Sequence, residues 1–371
     1  MTPLPKPDLF APLSFARGPA MKNRFVLAPL TNTQSHPDGR LSDEEFRWLE
    51  MRAEGGFGLT MTCAAYVQPV GQGFPGQLGI FSDIHLEGLT RLATAIRAAG
   101  SRSAVQLHHA GMRSPADLIG ETPVSPSDNE EWKSRALTLA EVEQLTEDFI
   151  AAAVRADRAG FDGVEVHGAH GYVLGEFLSA KVNRRTDRYG GSPENRGRII
   201  EEIIAGIRAR CRPDFTLGLR LSPERFDVDL PEIAAFAQKM LRAGDIDYLD
   251  MSLWDFRKEP DDPAHKGRTL MSYFTELDRC GVPLGVAGKI MSAADAREAL
   301  VAGADFVLLG KGAILHHDFP DQTKADPEFR SVALPVSRDY LAREGLSPVF
   351  VDYVKRFENF VIPDEVNEPA Q

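Results

Sequence analysis

Short apolar runs rich in β-branched residues alternate along this chain with longer stretches whose apolar positions recur at helical spacing. The short runs predict eight β-strands, at Arg24–Ala28, Phe57–Cys63, Ala104–Leu107, Gly163–His167, Thr216–Leu221, Tyr248–Met251, Pro283–Val286 and Asp305–Leu309. The longer stretches predict helices, at Ser42–Ala53, Glu87–Ala99, Leu139–Ala159, Asn195–Arg210, Leu230–Ala243 and Ala293–Ala302. Strand–helix alternation of this kind indicates a parallel sheet covered by helices.

Local signals mark the helix ends. N-cap residues precede acidic first turns at Ser42, Thr138 and Ser292, and glycines follow four helices, at Gly100, Gly160, Gly244 and Gly303. Eight strand–helix units suit a closed (β/α)8 TIM barrel better than an open doubly wound sheet. We therefore predict one α/β domain over residues 1–371, ordered from about residue 9 to residue 360, with an N-terminal hairpin cap and a flexible tail at 365–371.

Three predicted loops at the carboxyl ends of strands are unusually long, at His108–Leu137, Gly168–Glu194 and Ser252–Gly267. In a barrel of this type, these loops carry the function. Aromatic residues within them favour packed walls over disordered insertions, at Trp132, Tyr172, Phe177, Tyr189, Trp254 and Phe256.

The charge and cysteine content narrow the function classes. Lysine and arginine number 42 against 54 acidic residues, a net charge of −12, which disfavours a nucleic-acid partner. The three cysteines, Cys63, Cys211 and Cys280, have neither disulfide-framework nor metal-ligand spacing. The first ten residues lack the pattern of a secretory signal, and no apolar run approaches the ~18 residues of a membrane span. We expect a cytoplasmic protein with no membrane partner.

One predicted strand ends in two imidazoles and a phenol, within VEVHGAHGY at residues 164–172. His167 and His170 can donate hydrogen bonds to a developing oxyanion, and Tyr172 can deliver a proton. Two alternatives remain open: satisfied loop histidines, or a metal site, although no third histidine or nearby carboxylate completes a ligand set. The polar segment Asn183–Arg196 that follows is interpreted as a structural turn held by Arg–Asp pairs, with Ser192 capping the next helix.

Two consecutive strand ends carry Gly-Lys pairs, Gly288-Lys289 and Gly310-Lys311. Glycines after the seventh and eighth strands let backbone N–H groups approach a phosphate, and the lysines add charge. An ordinary turn is the alternative, but the coincidence at both ends favours a phosphate. The chain has neither the GxxxxGK spacing of a P-loop nor the GxGxxG of a dinucleotide fold.

Other strand ends add polar groups, since Thr31 follows Ala28-Pro29-Leu30 and apolar strands contain Gln106 and Arg220. Singly, each residue is best explained as a satisfied structural group. Together, they converge on one mouth of the barrel, as a planar hydrogen-bonding cofactor requires.

These motifs resemble the Old Yellow Enzyme family of NADH:flavin oxidoreductases and ene-reductases, in its single-domain bacterial form. The resemblance runs in order through Lys22–Thr31, Gln106–Gly111, His167–Ser179, Asn183–Arg196, Arg220–Pro223, Ala287–Ile290 and Gly303–Lys311. The HxxHxY turn followed by NRxTDxYGGSxxNR is highly specific to that family. Larger relatives add a cysteine-rich iron–sulfur segment, which is not present here, so we expect electrons to come directly from NADH or NADPH.

The resemblance implies a non-covalently bound FMN and assigns roles to the strand-end residues. Thr31 would bond the flavin O4/N5 edge, Gln106 the pyrimidine edge, and Arg220 the N1/O2 edge, where it would stabilise the reduced flavin. The ring would be lined by Ala28, Pro29, Leu30 and Cys63 or Ala64, and the phosphate held by Gly288, Lys289, Gly310 and Lys311. His167 and His170 would bind a substrate carbonyl, and Tyr172 would protonate Cα after hydride transfer to Cβ. His108 and Trp254 would shape the substrate pocket.

Two departures from the family pattern bear on binding. Lys311 stands where relatives carry a phosphate-binding arginine, and Thr33 stands where some carry an active-site tyrosine. The expected substrate is a small activated alkene. Another FMN-barrel oxidoreductase and a flavin-free phosphate-binding barrel lyase or isomerase remain alternatives. The aromatic C-terminal segment Val351–Ile362 is predicted to pack on its own barrel or on a second copy, which leaves a homo-oligomer open.

Overall fold

A computed structural model describes residues 8–363 of the chain. Its barrel strands are β1 Phe25–Leu27, β2 Leu59–Tyr66, β3 Arg102–His108, β6 Gly163–Gly168, β7 Thr216–Leu221, β8 Tyr248–Ser252, β9 Leu284–Ala287 and β10 Phe306–Leu309. These eight strands pair in parallel and close in the order β1-β10-β9-β8-β7-β6-β3-β2. The short strands β4 Val124–Ser125 and β5 Arg135–Ala136 pair with each other in the loop after β3. The predicted (β/α)8 barrel is therefore confirmed.

The helices alternate with the strands, as the hydrophobic pattern predicts. They are α1 Asp43–Glu54, α2 Leu86–Ala98, α3 Ala116–Ile119, α4 Leu139–Arg158, α5 Val173–Leu178, α6 Pro193–Arg210, α7 Leu230–Ala243, α8 Ser272–Thr275, α9 Ala293–Val301, α10 Lys311–Leu315, α11 Phe319–Ala325, α12 Arg338–Arg343 and α13 Pro348–Val354. The side chains of Ser42, Thr138 and Ser292 each accept a first-turn N–H. Within residues 8–363, no helix has the length and apolar character needed to cross a membrane.

The N-terminal hairpin closes one end of the barrel. Leu13 and Met21 pair in antiparallel fashion through two backbone hydrogen bonds of 3.1 and 2.8 Å. Phe15, at the tip, places its ring 5.2 Å from that of Tyr248 and 6.1 Å from that of Phe306, inside the barrel. Apolar rings therefore fill the amino-terminal end, which we call the floor, and leave the carboxyl end of the strands as the mouth.

Two glycines make room for the floor rings. A Cβ on Gly218 of β7 would lie 2.0 Å from the Tyr248 ring, and one on Gly285 of β9 would lie 2.2 Å from the Phe306 ring. Neither position tolerates a side chain unless the ring beside it moves, so the barrel interior depends on glycine at these two places.

The C-terminal segment packs on its own barrel. Phe350 of α13 is fully buried and meets Trp48 of α1 edge-on at 5.4 Å, and Phe360 is also fully buried. These contacts agree with the first of the two placements that the sequence leaves open, and packing on a second copy stays a prediction. The predicted flexible tail at 365–371 lies outside the described residues.

Candidate active site

The turn after β6 brings His167, His170 and Tyr172 together at the mouth. His167 Nε2 and His170 Nδ1 lie 3.3 Å apart, and His170 Nε2 lies 2.7 Å from the Ser252 hydroxyl. The Tyr172 ring centre is 5.4 Å from that of His167 and 6.4 Å from that of His170. His170 adopts a left-handed backbone, with φ +61°, and its N–H donates to Ser222 at 2.9 Å. The turn is thus held in a conformation that costs free energy but aims both imidazoles at one place.

Burial keeps these side chains uncharged. It lowers the pKa of His170 to about 3, with Arg220 adding to the effect, and it lowers the pKa of His167 well below its usual value. Burial likewise raises the pKa of the Tyr172 phenol, which therefore retains its proton at neutral pH. Neutral imidazoles each offer one N–H donor, and His167 Nδ1 has no hydrogen-bond partner within residues 8–363. The cluster can donate hydrogen bonds and a proton without carrying net charge.

Gln106 and Arg220 are buried in the barrel interior, below this cluster, and each contacts a carboxyl group. Gln106 Nε2 donates to Glu165 at 2.8 Å, and Arg220 Nε lies 3.1 Å from Asp250. We did not predict Glu165 or Asp250 from the sequence, although both interrupt apolar strands in the same way as Gln106 and Arg220. The same argument, that a polar residue inside a strand must be paired, would have identified them.

Cys63 does not reach the mouth, which corrects one predicted contact. Met61 pairs with Ala104 and Ala64 with Gln106, so β2 contains one extra residue between these two pairs. Such a bulge turns the following side chains over. Cys63 therefore points outward to Glu45 of α1, whereas Ala64 remains partly exposed. Of the two alternatives for lining the cofactor ring, only Ala64 is in position.

The loop after β1 supplies the opposite wall of the mouth. Ala28 is buried among the interior residues, and Pro29, Leu30 and Thr31 are partly exposed there. The next residue, Asn32, donates to the buried Glu45 at 2.9 Å. This bond ties the loop to α1 and so fixes the backbone that presents Thr31.

The two Gly-Lys pairs lie at neighbouring strand ends, but their lysines differ. Lys289 is largely exposed, and its ammonium is 3.1 Å from Asp255. The ammonium of Lys311 lies 5.4 Å over the Phe357 ring. At Gly310, the only side chain near the position of an added Cβ is Leu30, at 3.6 Å. Gly310 therefore leaves open space, whereas a Cβ on Gly288 would lie 2.9 Å from the backbone nitrogen of Asp255, and the Asp255 carboxylate already neutralises Lys289.

The rim of the mouth holds His108, Trp254 and two residues that we did not predict, Arg113 and Phe226. His108 is buried, with its ring 4.4 Å from that of Tyr172 and Nδ1 3.1 Å from Gln77. Trp254 is instead 55% exposed, with Arg225 over its ring at 5.1 Å. The guanidinium of Arg113 lies 5.3 Å from the Phe226 ring, and that ring lies 6.0 Å from His170. Trp254 therefore belongs to the outer rim, whereas His108 directly contacts Tyr172 of the cluster.

No set of three or more histidine, cysteine or acidic residues within residues 8–363 is arranged to hold a metal ion.

The predicted structural turn is present, since Arg185 pairs with Asp187 and the Ser192 side chain accepts from Asn195 N–H at the start of α6. The polar segment Asn183–Arg196 after the histidine turn thus shapes the loop.

Comparison with known proteins gives consistent matches. The model of the NADH:flavin oxidoreductase / NADH oxidase family matches residues 8–328. The "Probable NADH-dependent flavin oxidoreductase YqiG" of Bacillus subtilis (strain 168) is 37% identical over 88% of this chain and 90% of its own. The NADH oxidase of Thermoanaerobacter brockii is 32% identical, and the match spans 82% of this chain but only 49% of that protein. Morphinone reductase superposes with a TM-score of 0.77 at 29% identity, over 92% of this chain and 94% of its own.

Proposed function

Because the chain belongs to the NADH:flavin oxidoreductase / NADH oxidase family, whose members bind FMN, we propose that it is an ene-reductase that uses NADH or NADPH to reduce an activated alkene. The observation that carries this proposal is the uncharged His167–His170 pair beside Tyr172, above the interior residues Gln106 and Arg220. The flavin-free lyase or isomerase loses its support, because the family is one of flavin oxidoreductases.

The mouth fits an FMN by the character of its surfaces. Ala64, Ala287 and Gly310 are partly exposed at strand ends whose neighbours are buried, so the interior is open at this level. Arg220 is buried and its Nε faces Asp250 at 3.1 Å, so a fixed positive charge is held below this opening, where the flavin ring would lie. Bound FMN supplies the hydride carrier between the nicotinamide and the alkene. The residues that would hold it are Ala28, Pro29, Leu30, Thr31, Ala64, Gln106, Arg220, Gly288, Lys289, Gly310 and Lys311.

The histidine pair acts on the substrate carbonyl. Ser252 lies at hydrogen-bond distance from His170 Nε2, and His170 Nδ1 lies against His167 Nε2. This arrangement fixes both ring orientations before a substrate enters. Two N–H donors placed at a carbonyl oxygen withdraw electron density from the conjugated C=C bond and make Cβ electrophilic. Because both rings are neutral, no counter-ion has to be displaced when the carbonyl binds.

Tyr172 supplies the proton that completes the reduction. As Cβ receives the hydride, the phenol gives its proton to Cα, and solvent then restores the phenol. One NAD(P)H and one proton are consumed for each C=C bond that becomes a CH–CH bond. The raised pKa of the Tyr172 phenol, caused by burial, ensures that the proton is present at neutral pH.

Purified protein should be yellow, should bleach anaerobically with NADH or NADPH, and should recover its colour when cyclohexenone is added. The pair of rate constants for bleaching by the two nucleotides identifies the preferred donor. Protein that neither retains FMN nor rebinds it would refute the proposal. Flavin that is reduced by the nucleotide but not reoxidised by enones, maleimides or nitroalkenes would restrict the activity to another FMN-barrel oxidoreductase.

A further inference from the structure

Beneath the candidate cofactor site, the barrel interior contains two carboxyl groups and one guanidinium. Glu165 of β6 and Asp250 of β8 are fully buried, and Arg220 of β7 lies on the strand between them. Register places Glu165 beside Gln106, and Asp250 beside Arg220. Buried charges are expensive unless they are paired, and here two acids share a single base. Such an imbalance in a barrel core calls for an explanation beyond stability.

The carboxylate of Asp247, directly before β8, shows what a purely structural acid looks like. Asp247 is also buried, but it bonds Arg17 at 3.0 Å, Arg208 at 2.6 Å and the backbone N–H of Leu217 at 2.7 Å. Asp250 lies within β8 and points into the barrel. Its ion-pair partner is Arg220, and neither of its oxygens makes a hydrogen bond within residues 8–363. The free energy of burial is thus fully compensated at Asp247 and only partly at Asp250.

We propose that Glu165 and Asp250 are positioning residues for the FMN ring, Asp250 by holding Arg220 and Glu165 by holding Gln106. This inference rests on the proposed function, because it concerns the two side chains that would meet the pyrimidine and N1/O2 edges of the flavin. Gln106 Nε2 is committed to Glu165, which leaves Oε1 to accept from a ring N–H. Glu165 therefore decides which way the amide faces.

Glu165 also carries a proton at neutral pH. Burial raises its pKa, and the neighbouring carboxylate of Asp250 raises it further, while Arg220 and Gln106 act in the opposite direction. The groups that face it are Gln106 from β3, Arg220 from β7, and Tyr248 and Asp250 from β8. With Glu165 neutral, the charges of Arg220 and Asp250 cancel. Loss of the Glu165 proton would place one uncompensated negative charge below the flavin.

This arrangement links the flavin potential to pH with a definite sign. Electrons added to the flavin favour a protonated Glu165, so reduction takes up as much as one extra proton per two electrons. In the pH range where Glu165 ionises, the midpoint potential should therefore fall more steeply with rising pH. Glu165→Gln keeps the amide contact and cannot ionise, so it should remove the extra slope. Asp250→Asn removes a negative charge and should raise the midpoint potential wherever Glu165 stays protonated. Because Asp250 also raises the pKa of Glu165, the extra slope should move to lower pH in this variant.

The test is a pH series of midpoint potentials on the FMN-loaded wild type, E165Q, D250N and the control Asp247→Asn. We expect D247N to follow the wild type, because Asp247 faces away from the barrel interior. An E165Q profile superimposable on that of the wild type, or an equal shift in D247N and D250N, would overturn the inference while leaving the proposed function intact. A wild type that binds no FMN would overturn both.

A second readout needs no flavin and no active enzyme. The infrared carbonyl stretch of a protonated carboxylic acid should be visible in the wild-type apoprotein near neutral pH, should fade as pH rises, and should be reduced in E165Q. Glu176→Gln is the comparison variant: burial also raises the pKa of that carboxyl, which lies in α5 outside the barrel interior, so this variant should lose a band of its own and keep the band that E165Q loses. An unchanged spectrum in E165Q would contradict the protonated state and with it the pH linkage.

Discussion

The floor and the mouth of the barrel differ in how their buried polar groups are hydrogen-bonded. At the floor, Phe15 packs between Tyr248 and Phe306, and Asp247 is bonded by two arginines and a backbone N–H. At the mouth, buried imidazoles keep unpartnered nitrogens at His108 Nε2 and His167 Nδ1 within the described chain. The Asp247 carboxylate at the floor is fully bonded within the protein, whereas the imidazole nitrogens at the mouth remain available to a ligand.

Backbone strain follows the same division. Seven of the residues other than glycine with positive φ lie in loops directly after barrel strands at the mouth, at Thr33, His170, Arg225, Phe226, Asp227, Trp254 and Lys289. The run Arg225–Asp227 has three left-handed residues in succession, and it places Phe226 against His170. Each such residue costs of order 1 kcal/mol or more. Strained backbone is thus concentrated at the mouth, and substitutions at the two ends should separate stability from turnover.

The largest expected effect is at the mouth. Tyr172→Phe removes the proton donor and should slow alkene reduction by about 10²–10⁴-fold, the usual contribution of a general acid. Bleaching by NAD(P)H should be unaffected, because that half-reaction needs no proton from Tyr172. Stopped-flow measurement of both half-reactions tests this, with Tyr353→Phe, a neighbouring phenol on α13, as control. Equal loss in both half-reactions would contradict the assigned role.

The corresponding substitution at the floor is Phe15→Ala. Truncating a buried phenylalanine should lower the free energy of unfolding by about 3–5 kcal/mol, since a cavity remains between Tyr248 and Phe306. Urea unfolding measures the loss, and the folded variant should still reduce enones at the wild-type rate. Phe226→Ala, at the partly exposed rim, is the contrasting variant and should cost much less stability. A floor variant that loses turnover while folded would break the division between the two ends.

The neutral histidines predict acid sensitivity. Burial lowers the pKa of His108 to about 3, below its value of about 6.5 in an unfolded chain, so the unfolded state binds more protons between these values. The stabilising contribution is complete above pH 6.5 and is lost as pH falls toward 3. His108→Gln should make the decline shallower by up to about 1.4 kcal/mol per pH unit. Unfolding curves from pH 7.5 to 5 test this, with the exposed His36→Gln as control; parallel declines would refute it.

The smallest effect concerns the phosphate cradle. Lys311→Arg restores a planar fork that can bind a phosphate through two hydrogen bonds, so FMN affinity should increase by up to about tenfold. Equilibrium titration of apoprotein with FMN measures it. Lys289→Arg is the matched control and should change affinity less, because Asp255 already pairs with that position. A larger gain in the Lys289 variant would place the phosphate elsewhere.

The fold was predictable from the sequence because strand and helix periodicity and cap residues are local signals. All eight barrel strands and the caps at Ser42, Thr138 and Ser292 lie where the pattern places them. The site was less predictable wherever one residue depends on distant ones. The bulge that turns Cys63 outward leaves no clear mark in a continuous apolar run, and Asp255 neutralises Lys289 only in three dimensions.

Glu165 and Asp250 were missed for a different reason. The sequence motifs indicate side chains that could contact a ligand directly. Glu165 and Asp250 instead contact Gln106 and Arg220, which are themselves predicted to contact the ligand. Phe226 was missed because its placement at the rim depends on the left-handed run Arg225–Asp227, and those residue types do not favour such a backbone.

The N-terminal hairpin that closes the floor of the barrel has a consequence for folding during synthesis. Arg17 pairs with Asp247 at a sequence separation of 230 residues, and Phe15 packs against Phe306 of the last barrel strand. The hairpin precedes all eight barrel strands in the chain but is among the last segments to find its place, and its apolar tip stays exposed until the last of them has been synthesised. Contacts this distant in sequence close slowly, and the nascent chain meets its greatest aggregation risk just before the barrel is sealed.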